Sequence, residues 1–164
     1  MKKGFTLIEL LVVIAILGVL SSIILSSLTG SRSSANFARA KLEFKSLATA
    51  IQLYTEDHGG TFPADVDRGL PPGLEAYLSG GSWPNAPWPG SVYDWDNWVD
   101  STTGTVMQVS IRFCPLGHPE LCQFPNNSWA ADFDYYSSVY YCLQGVCRAH
   151  PSMPIDHPGY CINC

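Results

Sequence analysis

The hydrophobic pattern divides the first third of the chain into two helical segments. Residues 5–28 are apolar at 17 of 24 positions, whereas residues 35–57 place apolar side chains every three or four positions. A continuous apolar run predicts a helix that is buried on all sides, and the 3-4 spacing predicts a helix with one packed face. Residues 1–57 contain no proline, so the two segments can join in one long helix.

Residues 5–28 have the length of a membrane-spanning helix. At about 1.5 Å per residue they extend about 36 Å, and the hydrocarbon layer of a bilayer is about 30 Å thick. Lys2 and Lys3 precede the run, which predicts a cytoplasmic N-terminus and places the rest of the chain outside. The alternative is a cleaved secretory signal, although the apolar core of such a signal has only about 7–15 residues.

Glu9 is an acidic residue inside the apolar run. Burying a charged carboxylate in a membrane costs several kcal/mol, so such acids are candidates for a functional role. A functional Glu9 would pair with a positive group on another copy, such as the free amine of a processed N-terminus. The alternative is a carboxylate at the membrane edge that reaches water.

The second helical segment carries a continuous apolar stripe. The charged residues Arg39 and Glu43 lie off this stripe and form an i,i+4 pair. The stripe is too short for a stable coiled-coil seam, so we expect it to pack on a sheet formed by the rest of the chain. Gly59 and Gly60 are expected to end the helix. The apolar stripe comprises Phe37, Ala40, Phe44, Leu47, Ile51 and Tyr54.

Residues 58–164 have the composition of a small cross-linked domain. They hold all 12 prolines, all 6 cysteines and 16 of the 20 aromatic residues, so aromatic rings and disulfides must supplement a thin aliphatic core. Val106–Phe113 alternates apolar and polar residues and predicts a half-buried strand. Ala131–Leu143 predicts a second strand region, followed by a hairpin turn at Gln144-Gly145 into Val146–Ala149. We expect an antiparallel sheet of three to five strands.

The six cysteines predict disulfides, because all of them lie on the side expected to be outside the cytoplasm. Cys114 and Cys122 can close a local loop. Cys142 and Cys147 can pair with each other or with Cys161 and Cys164, and we expect either arrangement to fix the C-terminal tail. A zinc site is the alternative for these last four cysteines together with His150 and His157. A thioredoxin-like role for Cys161 and Cys164 lacks the surrounding βαβ pattern.

Two further groups are candidate ligand sites. Asp94, Asp96 and Asp100 are spaced so that their carboxylates could bind calcium from a loop, although the glycine and glutamate of an EF-hand are missing. The alternative is that they are solvent-exposed acidic residues of a loop. Residues 80–98 hold four of the five tryptophans, which can form a sugar-stacking platform or replace aliphatic packing. We expect no cofactor other than this structural calcium ion.

The segment from Lys2 to Leu10, KKGFTLIEL, resembles the leader and processing site of type IV pilins and type II secretion pseudopilins. The resemblance implies that prepilin peptidase cleaves between Gly4 and Phe5 and that the new Phe5 amine is methylated. It also implies that Glu9 neutralises the Phe5 amine of a neighbouring subunit during assembly. The helix exit around Tyr54–Pro63 and the Pro87–Gly90 turn are similar to segments of pseudopilins.

This resemblance and the hydrophobic pattern predict an α+β fold, with a long protruding N-terminal helix packed on a small antiparallel head. We divide the chain into a leader (1–4), a transmembrane and filament-core helix (5–28), an amphipathic helix (29–58) and a disulfide-rich head (59–164). Before assembly, the chain is expected to be a single-pass inner-membrane protein with its head outside the cytoplasm. After assembly, it is expected in an extracellular or periplasmic filament.

The predicted function is structural: a type IV filament subunit that polymerises through its N-terminal helix into a pilus. Its expected partners are copies of itself, prepilin peptidase and the filament assembly machinery of the inner membrane. The alternatives are a major pseudopilin of a type II secretion system and a membrane-tethered binding module with a Trp-rich loop. The sequence lacks the motifs of common hydrolase and phosphate-binding sites, and its net charge of −5 disfavours nucleic-acid binding. We therefore predict no enzymatic activity.

Overall fold

A computed structural model describes residues 6–100, 104–149 and 157–164, with the backbone alone described at residues 23–30 and at Asp100. The chain forms two compact units, an N-terminal unit (Met1–Ala35) and a C-terminal unit (Asn36–Cys164). Short 3-10 helices cover Leu74–Tyr77, Pro119–Leu121 and Ser128–Ala130. The regular elements are helix α1 (Leu7–Asp57) and strands β1 (Val92–Asp100), β2 (Gly104–Arg112), β3 (Ser138–Gly145) and β4 (Gly159–Cys161).

The N-terminal unit consists of the first part of α1, and its apolar side chains are exposed. The large hydrophobic residues from Leu7 to Leu20 are between 46% and 83% exposed. Within the described residues, no helix combines the length and hydropathy that a membrane crossing needs. Residue 5 and the side chains of residues 23–28 lie outside the described part of the predicted membrane segment. Ser22 donates to the Val19 carbonyl at 2.7 Å, a local bond of the kind that competes with the helical ladder.

The C-terminal unit is built around one sheet with the strand order β1-β2-β3-β4. The β1–β2 and β2–β3 pairs are antiparallel, as predicted. The four strands agree with the predicted antiparallel sheet of three to five strands, and the short edge strand β4 adds one parallel pair, β3–β4, which the sequence did not indicate. The strand predicted to begin at Ala131 begins only at Ser138, because turns occupy the residues before it.

The predicted hairpin after Gly145 was also wrong, since Val146–Ala149 is not a strand. Gly145 has φ +84°, and a Cβ atom there would lie 1.9 Å from the Thr105 carbonyl oxygen. Val146 donates its backbone N–H to the same oxygen at 2.9 Å. The chain therefore leaves β3 beside the start of β2 and cannot fold back as an adjacent antiparallel strand.

The apolar stripe of α1 packs in the core of this unit, as predicted. Phe44 and Ile51 are fully buried, and Phe44 meets Tyr93 of β1 edge-to-face at 5.6 Å between ring centroids. The Tyr93 hydroxyl donates to the Glu43 carboxylate, and burial together with this bond raises the Tyr93 pKa well above its ordinary value. Stripe residues in the buried core are Ala40, Phe44, Leu47 and Ile51, with Phe37 and Tyr54 half-buried beside them.

Three of the four tryptophans of residues 80–98 serve packing, in agreement with the simpler of the two predictions. Trp88 is 6% exposed and Trp95 is fully buried, and the Trp95 indole donates to the Pro63 carbonyl at 3.0 Å. The Trp83 indole donates to the Gly69 carbonyl at 3.0 Å. The Trp88 ring packs edge-on against Phe113 and Trp129. Because all three rings pack inside the fold, they do not form an open sugar platform.

Candidate functional site

Thr6 and Glu9 form a reciprocal cap at the start of α1. The backbone N–H and the hydroxyl of Thr6 both donate to Glu9 Oε2 at 2.8 Å. The Glu9 backbone N–H donates in return to the Thr6 hydroxyl at 3.3 Å. A Thr-x-x-Glu pair of this kind satisfies backbone donors that the first helical turn leaves unpaired. The sequence contains this motif, although Glu9 was predicted either to pair with another copy or to reach water at the membrane edge, and not to cap its own helix.

The cap fixes the position of the Glu9 carboxylate at the beginning of the apolar helix. The predicted processing residues Gly4 and Phe5 lie outside the described residues. The pairing of Glu9 with a Phe5 amine of another copy therefore stays a prediction. Because the cap uses one carboxylate oxygen for both Thr6 bonds, the carboxylate can accept a bond at its other oxygen without losing the cap.

The three disulfides are all local in sequence. Each links cysteines that are neighbours among the six, so the alternative pairings with the tail do not form. A zinc site at these residues is excluded in this state, since no cysteine is free. The bonds are Cys114–Cys122, Cys142–Cys147 and Cys161–Cys164.

The C-terminal tail is held by hydrogen bonds, which corrects the expectation that a disulfide fixes it. The Asn163 side chain accepts from the Cys142 N–H and donates to the Cys142 carbonyl, both at 2.8 Å. Ile162 donates its N–H to the Tyr140 carbonyl at 2.9 Å. The Asn163 side chain thus forms with β3 the pair of hydrogen bonds that the backbone of a neighbouring strand would form. Its residue type alone did not indicate this role.

The face of the sheet opposite α1 is polar and buried. The strand β2 was expected to be half-buried, yet Gln108 and Ser110 are fully buried and Arg112 is 2% exposed. On the adjacent strand, Asp94 and Asp96 are 2% and 3% exposed. The alternation of the strand was therefore predicted correctly, but its polar side chains are enclosed instead of facing water, and Gln108 and Arg112 bind the carboxylates of β1.

Arg112 joins the two carboxylates of β1. Its Nε atom lies 2.9 Å from Asp94 Oδ2 and its Nη2 atom lies 2.8 Å from Asp96 Oδ1. Gln108 donates to the second oxygen of Asp96 at 3.0 Å. Burial and the neighbouring Asp96 charge raise the Asp94 pKa to about 7, although Arg112 opposes this shift. Burial opposes the charge of Arg112, but the two carboxylates outweigh it and raise the Arg112 pKa.

This arrangement bears directly on the predicted calcium site. Asp94 and Asp96 lie in a strand and not in a loop, and both bind Arg112. The Asp100 side chain lies outside the described residues. Among the side chains that are described, no cluster of three histidine, cysteine or acidic residues is placed to hold a metal. Calcium therefore stays a prediction, and an ion binding these carboxylates would have to displace the guanidinium.

Asp134 and His157 form a further polar pair near the start of β3. The His157 Nδ1 atom lies 2.6 Å from Asp134 Oδ2, and the Ser137 hydroxyl donates to the other oxygen at 3.0 Å. Burial favours the neutral carboxyl, but these bonds outweigh it and lower the Asp134 pKa. The serine bonds to the aspartate and not to the histidine, so the geometry is that of a structural turn.

The N-terminal residues match a known family model. Residues 1–25 match the model described as the prokaryotic N-terminal methylation motif. Type II secretion system core protein G of Pectobacterium carotovorum subsp. carotovorum is 40% identical over 69 residues, which cover 42% of this chain and 43% of the relative.

Relatives of the same description occur in other bacteria. The Escherichia coli (strain K12) protein is 37% identical over 57 residues, covering 35% of this chain and 39% of the relative. The Vibrio cholerae protein is 35% identical over 69 residues, covering 42% of this chain and 46% of the relative. The chain thus matches less than half the length of these curated relatives. No solved structure gives a significant match.

Proposed function

We propose that this chain, which carries the prepilin motif of the type IV pilin and pseudopilin family, is a structural subunit of a type IV filament. The observation that carries the proposal is the match over residues 1–25, because it combines a basic leader, the Gly4-Phe5 junction and Glu9. The α+β fold of the C-terminal unit is consistent with a pilin-like head.

The physical basis of polymerisation is the apolar surface of the N-terminal unit. The large side chains from Leu7 to Leu20 are about half exposed or more, and a helix that is apolar on all sides requires an apolar environment. In the proposed life cycle, the membrane supplies this environment before assembly and the helices of neighbouring subunits supply it afterwards. Copies of this chain, prepilin peptidase and inner-membrane assembly components are the proposed partners.

The proposed setting is a type II secretion pseudopilus. The support is the description of the similar proteins as type II secretion system core protein G. A surface pilus is the second candidate, favoured by the aromatic head with three disulfides, since such a head withstands an extracellular environment. A neighbouring gene for an outer-membrane secretin with other secretion components would support the first setting, and one for a retraction ATPase would support the second.

The processing step can be tested by mass spectrometry of the chain expressed with a prepilin peptidase. We expect a product that begins at Phe5 and carries one methyl group on its amine. Without reductant, the same product should weigh six hydrogens less than its reduced form, as the three disulfides require. A mature protein that retains Met1–Gly4 would overturn the proposal.

The role of Glu9 can be tested by filament formation. We expect Glu9→Ala to abolish filaments while leaving processing intact, because the carboxylate would no longer neutralise the Phe5 amine of a neighbour. Thr6→Val is the matched control, since it weakens the cap but keeps the carboxylate. Normal filaments from Glu9→Ala would contradict the proposed assembly mechanism.

A further inference from the structure

Arg112 is a buried cation that donates hydrogen bonds in three directions. Its side chain is 2% exposed. Nε donates to Asp94 Oδ2 at 2.9 Å, Nη2 donates to Asp96 Oδ1 at 2.8 Å, and Nη1 donates to the Tyr136 carbonyl at 2.8 Å. A planar guanidinium suits this arrangement, because it keeps its charge when buried and its donors diverge in a fixed fork.

The carboxylate oxygens that a metal ion would need are already engaged. Asp94 accepts at Oδ1 from the Arg68 backbone N–H at 2.7 Å, and Asp96 accepts at Oδ2 from the Gln108 side-chain amide at 3.0 Å. With the two bonds from Arg112, all four oxygens of the two carboxylates accept hydrogen bonds inside the fold. Calcium takes roughly six to eight oxygen ligands, so an ion here would have to break these bonds. The two aspartates therefore do not fit a calcium site while Arg112 binds them both.

The same network ties three irregular segments to the sheet. The first segment binds Asp94 through a backbone N–H, and the second binds Arg112 through a backbone carbonyl. The third is bound by Gln108, whose side chain donates to a backbone carbonyl at 2.6 Å and accepts from the N–H of the same residue at 2.9 Å. In small metal-binding domains, a structural ion organises the chain in a comparable way and its binding energy contributes to folding. The segments are the turns around Arg68 and Tyr136 and the residues after β3 that include Arg148.

We propose that Arg112 is the resident structural cation of the C-terminal unit and takes the place of the calcium ion that the aspartate spacing predicted. Its charge offsets the two carboxylates of β1, and its fork connects β1 and β2 with the turn before β3. The C-terminal unit then folds without a metal ion, and its stability does not depend on calcium. This role of Arg112 goes beyond the proposed filament function and is independent of it.

Chelation of metal ions tests the independence from calcium. The full-length protein in detergent is dialysed against a chelator, against millimolar calcium or against millimolar magnesium, and thermal unfolding is followed by tryptophan fluorescence. We expect the same melting temperature in all three buffers, because protein donors already occupy the oxygens of Asp94 and Asp96. A melting temperature several degrees higher in calcium than in magnesium would overturn the proposal.

Chemical rescue tests whether the guanidinium is the structural cation. Arg112→Ala removes the side chain beyond Cβ, and ethylguanidinium has the shape of the removed part. We expect Arg112→Ala to lower the melting temperature by about 10 °C or more, and we expect ethylguanidinium, but not propylammonium, to recover part of this loss. Arg39→Ala is the matched control, because it removes a guanidinium whose side chain is 48% exposed. We expect a smaller loss and no rescue in the control.

Two results of the rescue experiment would overturn the proposal. One is a wild-type melting temperature for Arg112→Ala, and the other is equal stabilisation of Arg112→Ala and Arg39→Ala by ethylguanidinium. If Arg112→Ala does not fold, Arg112→Lys replaces it, since lysine keeps the charge but lacks the fork. We expect Arg112→Lys to melt below the wild type, and a wild-type melting temperature would contradict the assignment to the guanidinium.

Discussion

The Nε atom of Arg112 lies 2.9 Å from Oδ2 of Asp94, and both side chains are 2% exposed. This contact joins β2 to β1 on the face of the sheet opposite α1. Replacing Arg112 with Met would leave Asp94 and Asp96 buried without their cation. We expect the free energy of unfolding to fall by about 3–5 kcal/mol, the usual cost of breaking a buried ion pair by removing one partner. Urea denaturation followed by tryptophan fluorescence measures this change.

The control for this substitution removes the charge of Arg112 together with the charges of its two aspartate partners. Arg112→Met/Asp94→Asn/Asp96→Asn should recover most of the lost stability, because replacing a whole buried ionic group is often nearly neutral. An Arg112→Met single variant as stable as the wild type would show that the guanidinium contributes nothing to the fold. Added calcium provides a second readout: a rise in melting temperature that Asp94→Asn abolishes would support the calcium site over the arginine pair.

The raised pKa of Asp94 predicts a pH dependence of stability. The folded value of about 7 lies above the usual value near 4, so the folded state binds this proton more tightly than the unfolded state does. The stabilising contribution of Asp94 to the free energy of unfolding is therefore greatest at low pH and is lost as the pH rises through about 7. We expect a loss of roughly 1–3 kcal/mol between pH 4 and pH 7.

Asp94→Asn isolates this contribution, because it keeps the shape and removes the titration. Unfolding free energies measured from pH 4 to pH 8 should decline less steeply in the variant than in the wild type. Parallel pH curves for the two proteins would contradict the assignment of the slope to Asp94.

Gly145 is predicted to be intolerant of substitution. Its φ of +84° is unfavourable for other residues, and a Cβ atom would overlap the Thr105 carbonyl oxygen. We expect Gly145→Ala to destabilise the protein by more than about 1 kcal/mol, since strain and backbone displacement add together. Gly80→Ala is an informative control, because φ is +88° there but the space around the site is open. A smaller loss at Gly145 than at Gly80 would contradict the close approach to Thr105.

The disulfides should be reduced in a defined order. Cys114 is fully buried and its bond closes a segment with a sequence separation of 8, whereas Cys164 is exposed and its bond has a separation of 3. Exposed disulfides react faster, and longer loops gain more stability from closure. We expect a low concentration of dithiothreitol to open Cys161–Cys164 first.

Alkylation followed by peptide mass spectrometry identifies the first pair to open. The Cys161→Ser/Cys164→Ser variant should remain folded, because Asn163 holds the tail through Cys142. Cys114→Ser/Cys122→Ser should lose about 2–4 kcal/mol. Unfolding of the first variant at ordinary temperature would show that the tail disulfide is essential to the fold.

Local patterns in the sequence determined much of the fold. The 3-4 spacing of Phe44, Leu47 and Ile51 identified the packed face of α1, because helical geometry aligns such residues whatever they later contact. The paired glycines after Asp57 identified the helix end, and Gly59 and Gly60 have φ of +65° and +91° there. The leader motif indicated the resemblance to type IV pilins and pseudopilins, since a short basic leader, the Gly4-Phe5 junction and Glu9 lie close together in the chain and residues 1–25 match the N-terminal methylation motif.

The tertiary structure decided which polar residues were internal. Asp94 and Arg112 are 18 residues apart, and only the β1–β2 register brings them together. The direction of β4 and the role of Asn163 depended in the same way on contacts with β3. The periodicity of a sequence indicates which face of a helix or strand a residue occupies. Whether that face is exposed to water depends on which segments, distant in sequence, pack against it. The sequence by itself therefore indicated the helix, its packed stripe and the N-terminal methylation motif, while the buried ionic face arose from long-range packing.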